Sequence, residues 1–140
     1  MLNLLDDPYY PSIDLRRTWW PGSENKEPEV LVGLQWTRGK TLLGPDTTPY
    51  IGVRSARETA IAKALREDEE FLRTRRARGH KVSQWWPAYA YVPPSASFPE
   101  QSDIYRQNLV DAVLDAWNTY SPLIDRLVLG SAAPTGPDVP

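Results

Sequence analysis

Cysteine is absent from this chain. That removes disulfides, thiolate nucleophiles and thiolate-bound zinc from its repertoire, and is compatible with a reducing compartment. Histidine occurs once, at His80, so a His-x-x-x-His metal pair is impossible. No Gly-x-Ser-x-Gly turn is present to present a serine nucleophile to it. No apolar run approaches the roughly 20 residues a membrane helix needs. The N-terminal Met1-Leu2-Asn3-Leu4-Leu5-Asp6-Asp7 lacks the basic start and apolar stretch of a signal peptide. Formal net charge is only -2, so no global field draws the chain to nucleic acid or anionic lipid. These absences lead us to expect a soluble cytoplasmic protein with no membrane contact, metal or cofactor.

What is abundant is tryptophan. Four of the six tryptophans lie in two identical triplets, Trp19-Trp20-Pro21 and Trp85-Trp86-Pro87. Neighbouring residues of a strand point to opposite faces, so each doublet sends one indole inward and one outward unless both faces are covered. The chain has 140 residues, 41% hydrophobic and 24% charged. That predicts one globular domain over residues 1–131, followed by a loose tail over 132–140.

Alternation of apolar and polar residues predicts strands over 12–20, 30–36, 50–53 and 85–92, with a short further one over 40–43. Ser55 and Glu58 form a Ser-x-x-Glu capping signature for a first helix, which carries Ile61, Ala64, Leu65, Phe71 and Leu72 and ends at Gly79. Ser97 and Glu100 repeat that signature before a second helix with Tyr105, Leu109, Val113, Leu114 and Trp117. Ser121-Pro122 reads as the start of a short third helix. Hairpin strands first and helices later favour an α+β fold. We expect a mostly antiparallel sheet of about four strands, with two main helices packed on one face.

Gly39-Lys40-Thr41 has the ending of a phosphate-binding loop. Gly33 is one residue too far upstream, however, and Leu42-Leu43-Gly44-Pro45 cannot open the helix that would cradle a phosphate. His80, just past a helix end, reads as an exposed residue interacting with the helix C-terminus. Asp111 and Asp115, four apart, form a stripe suited to a divalent ion or an acid/base pair, but lie away from the apolar positions of their helix and read as a solvated face.

Two features remain. Arg73, Arg75, Arg76, Arg78 and Lys81 make a dense basic segment that complements the helix dipole or clamps phosphates. Trp19, Trp20, Trp85, Trp86, Tyr89 and Tyr91 supply core bulk, and also the amphipathic rings favoured at interfaces. The flanking prolines suit strand ends or an edge, where a partner can dock.

Three stretches carry a resemblance: Trp85-Trp86-Pro87-Ala88-Tyr89-Ala90-Tyr91-Val92, then 109–117, then Ser121-Pro122-Leu123-Ile124-Asp125. Together they resemble the final strand and helices of uncharacterised small α+β proteins associated with restriction-endonuclease-like nucleases. The nuclease motif itself, an acid followed by Glu-x-Lys or Gln-x-Lys, is missing: Gln35-Trp36-Thr37 has threonine where lysine is required. The resemblance therefore implies a catalytically empty accessory or recognition role.

The expected function is a non-enzymatic binding module that presents aromatics of both Trp-Trp-Pro segments to a protein partner. The alternative is nucleic-acid binding through Arg73 to Lys81 with aromatic stacking. A further alternative is a hydrolase built from dispersed carboxylates such as Asp14, Asp111 and Asp115.

Overall fold

A computed structural model describes residues 2–5, 12–36, 49–56, 58–92 and 102–132. It contains β1 (Leu2–Leu5), β2 (Ser12–Leu15), β3 (Val30–Gln35), β4 (Tyr50–Ser55), α1 (Ala60–Glu67), α2 (Glu69–Ala77), β5 (Ala88–Tyr91) and α3 (Ser102–Ala132). The strands pair in chain order, every pair antiparallel, as one five-stranded meander. The α+β fold with an antiparallel sheet is as the element order predicted. The strand beyond the expected set is β1, and the predicted strand over 40–43, the Gly39-Lys40-Thr41 segment, the Ser97/Glu100 cap and the tail from residue 133 lie outside the described residues.

Register sorts the side chains. Leu15 pairs with Val32, Val32 with Val53 and Val53 with Ala88, while Ile13, Leu34, Ile51 and Ala90 form the next row. Both rows face the helices and join the main core. On the opposite face one row reads Asp14, Gly33, Gly52, Tyr89. The two glycines are demanded by close strand approach. A Cβ at Gly33 would meet the Ile13 carbonyl oxygen at 2.3 Å, and one at Gly52 the Ala88 carbonyl oxygen at 2.0 Å.

α3 lies against β3 and β4, with α1 and α2 packed beside it. Its buried positions Tyr105, Leu109, Val113, Ala116, Tyr120, Ile124 and Val128 recur at three or four residues, one face of a helix. Ser121-Pro122 does not start a separate helix: α3 runs through Pro122. Pro122 is exposed while Tyr120, Leu123 and Ile124 are buried on either side. That burial outweighs the one backbone hydrogen bond proline cannot make.

The first predicted helix is in fact two. Asp68 adopts an extended conformation between them and caps α2, its side chain accepting from Phe71 N at 2.9 Å. Arg126 of α3 donates to the same carboxylate at 2.7 Å. This bond and the Phe71 amide hold Asp68 below the usual carboxylate range. The predicted Ser55/Glu58 cap is also displaced. Ser55 ends β4 and donates to the Glu29 carbonyl, Glu58 takes a positive φ, and Thr59 caps α1 by accepting from Ala62 N.

Candidate functional site

Each Trp doublet divides between core and solvent. Trp20 and Trp86 are 1% and 7% exposed, whereas Trp19 and Trp85 are 46% and 45% exposed. Neither doublet lies within a strand: the predicted strand over 12–20 stops at Leu15, and β5 begins only at Ala88, after Pro87. The inner indoles are fixed by specific partners. Trp20 Nε1 donates to Asp125 Oδ1 at 2.8 Å and its ring meets Trp117 at 5.3 Å. Arg17 Nε bonds both oxygens of Asp125 and its guanidinium lies 5.0 Å from the Trp117 ring. Trp86 packs edge-on against Tyr50 at 5.9 Å.

Ser55 ties the two doublet-bearing loops to one end of the sheet. Its Oγ donates to Glu29 O at 2.8 Å, and its backbone N to Trp85 O at 3.1 Å. Glu29 N in turn donates to Pro21 O. Trp19 and Trp85 are therefore carried at the same end of β2 to β5.

The second doublet sits on a hairpin. Lys81 and Tyr89 exchange backbone hydrogen bonds of 2.7 and 2.9 Å, and Ser83 N donates to Trp86 O, leaving Gln84 and Trp85 at the tip. Arg66 of α1 clamps that tip, its Nη2 donating to Ser83 O at 2.7 Å and Gln84 O at 2.9 Å. Burial, and then the neighbouring Arg75 charge, hold Arg66 below the usual arginine range. Val82, Trp85 and Tyr91 project from this hairpin, all close to half exposed. Tyr91 also meets Tyr50 and Tyr89, the three rings edge-to-face at 5.3 to 5.9 Å on the sheet face away from the helices.

The basic segment joins this surface at Lys81, whose ammonium lies 5.5 Å from the Tyr91 ring centroid. The rest is divided: Arg78 is paired with Asp115, Arg75 is half-buried, and Arg73 and Arg76 are exposed. His80 meets the C-terminus of α2 as expected, its backbone N donating to Arg75 O at 3.0 Å, but it is not exposed. It is half-buried, with Nδ1 2.5 Å from the hydroxyl of fully buried Tyr120. Burial first, then Arg78, lower its pKa against the opposing pull of Asp115. Burial also pushes Tyr120 up to about 12.

The dispersed carboxylates are not brought together. Asp14 is buried on the sheet face opposite the helices, where desolvation raises its pKa against Arg16, Arg54 and Ser12. Asp111 and Asp115 are exposed on α3, one accepting from Gln107 and the other paired with Arg78. Among the described residues no group of three acidic or histidine side chains is arranged to hold a metal ion. No helix among them is long and apolar enough to cross a membrane.

The chain matches no protein-family model, no curated protein and no solved structure. Function must therefore be read from the geometry. Val82 and Arg66 were not among the candidate residues of the sequence, because their positions acquire meaning only through the fold. The strand alternation of Tyr89 and Tyr91 was the available signal for the outer-face cluster.

Proposed function

We propose that this protein is a non-enzymatic binding module that recognises a protein partner through the 81–91 hairpin, with Trp19 at the same sheet end extending the surface. One observation carries the reading: Val82, Trp85 and Tyr91 are held half-exposed on a hairpin whose tip is clamped by Arg66. Large rings held in place lose little conformational freedom on binding, which is what makes them interface anchors. Trp20 and Trp86 belong to the supporting core rather than to the contact surface. An accessory role of this kind is also what the resemblance to nuclease-associated proteins implies.

A nucleic-acid reading is favoured by exposed Arg76 and Lys81. It is weakened by the engagement of Arg78 with Asp115. Lys81 over the Tyr91 ring, with Tyr50 and Tyr89 at its edges, occupies a face on which a base would stack.

The test is selection of a displayed random-peptide library on the immobilised protein, with Trp85→Ala as counter-selection. Binders that require Trp85 are expected. Recovery only of peptides indifferent to Trp85 would reject the hairpin as the recognition surface.

A further inference from the structure

The sheet face away from the helices holds a carboxyl group that partner binding leaves unused. Asp14 is 2% exposed, and its Oδ2 is buried with no hydrogen-bond partner. Register places Gly33 and then Gly52 beside it, and Arg54 two residues further along β4 on the same face. Neither glycine interposes a side chain between Asp14 and Arg54. Arg54 itself is loosely held: its Nη2 lies 3.7 Å from Oε2 of Glu27, a side chain 81% exposed. Among the described residues, the charged groups bearing on Asp14 are Arg16 on β2, Arg54 on β4 and Glu27 before β3, with Ser12 as a hydrogen-bonding neighbour. On this face β3 offers Leu31, Gly33 and Gln35, none of them charged.

Arg54 is thus a cation within reach of two acceptors, one exposed and one buried. An exposed ion pair at that separation is worth little. A buried carboxylate with an unmet oxygen is costly, whereas a neutral carboxyl leaves only a dipole unmet. We propose that Asp14 is a proton-controlled switch: with its proton bound, Arg54 stays with Glu27, and on ionisation Arg54 turns inward to Asp14 Oδ2. The observed arrangement corresponds to the protonated form. Glu27 lies on the loop that Trp19-Trp20-Pro21 opens, so the exchange frees the tip of that loop from β4. The base of the loop stays tied, because Ser55 Oγ and Ala56 N both donate to Glu29 O. Burial favours the protonated form, raising the Asp14 pKa above 3.8 against the pull of Arg16 and Arg54. Folding then takes up a proton at Asp14. Its contribution to stability is full below pH 3.8 and is lost as pH rises through the folded pKa, opposite in sign to a group whose folded pKa is depressed.

The test is a pH titration by NMR that follows the Asp14 carboxyl carbon and the Arg54 guanidinium in the same samples. The Asp14 midpoint is expected above 3.8, higher still in Arg54→Met, and lower in Glu27→Gln, which releases Arg54. Arg54 resonances should shift at the Asp14 midpoint and stay still in Asp14→Asn. The Arg54 and Glu27 substitutions decide the matter even where Asp14→Asn fails to fold. An Asp14 midpoint at or below 3.8, or one indifferent to both of those substitutions, would overturn the switch. So would Arg54 resonances that do not follow the Asp14 titration.

Discussion

Arg66 Nη2 stands 2.7 Å from the carbonyl oxygen of Ser83, so a residue of α1 fixes the loop that exposes Trp85. Arg66→Met keeps much of the aliphatic stem and removes the donors. We expect a loss of about 1–2 kcal/mol, kept at the low end of charged hydrogen bonds because Arg66 is only partly buried. Trp85 should also become more accessible to acrylamide. Unfolding curves and quenching measured together check this. Unchanged quenching with unchanged stability would show that the clamp is unimportant.

The His80–Tyr120 contact predicts an acid-sensitive fold. With its pKa near 12, Tyr120 keeps its proton and is hydrogen-bonded to Nδ1 of His80, as donor where neutral His80 carries its proton on Nε2. Protonated His80 would force Tyr120 to accept instead of donate and would carry a charge into a half-buried site, with Arg75 and Arg78 nearby and only Asp115 in compensation. The folded pKa lies below the unfolded 6.5, so the unfolded chain binds the proton more readily. Stability is full above pH 6.5 and falls as pH drops from there through the folded pKa, by at most about 1.4 kcal/mol per pH unit. His80→Gln should flatten this dependence between pH 7 and 5.5 in urea unfolding. Asp68, with a depressed pKa, contributes stability lost only below 3.8, outside that window.

Glycine substitutions should diverge in sign. Gly52→Ala puts a methyl 2.0 Å from the Ala88 carbonyl oxygen, which neither strand can yield without breaking their pairing. A loss of about 2–4 kcal/mol is expected. Gly130 lies within α3 with open space around it, so Gly130→Ala should gain about 0.5–1 kcal/mol from helix propensity. Thermal melts of the two variants moving in the same direction would contradict the register and the helix boundary.

The doublets should separate just as clearly. Trp20→Ala and Trp86→Ala remove buried indoles, and each should cost about 3–5 kcal/mol. Trp19→Ala and Trp85→Ala should stay within about 1 kcal/mol, because surface truncation leaves no cavity. Equal losses across a doublet, measured by denaturant unfolding, would place both of its indoles in the core.

The fold class was legible because alternation at Val30, Val32 and Leu34 and the three-and-four spacing of Tyr105, Leu109 and Val113 report burial directly. Each doublet does divide between inside and outside, but not by the strand alternation read from the sequence, since neither lies in a strand, and which member turns inward was not legible. That choice depends on Asp125 and Tyr50, distant residues that meet Trp20 and Trp86 only after folding. Local signals misled where tertiary partners competed. Ser55 donates to Glu29 instead of capping a helix, and Asp68 gains Arg126 by breaking one. Arg66 left no mark in the sequence, since an arginine in a helix is ordinary until a loop returns beneath it.

The proposed function requires that the hairpin meet a protein partner in the cell. A photo-crosslinking amino acid at Val82, with one at exposed Leu129 of α3 as control, tests it most directly. A discrete protein adduct is expected from position 82, absent from position 129 and lost when Trp85→Ala is added. No adduct at 82, or one of equal yield from both positions, would contradict it.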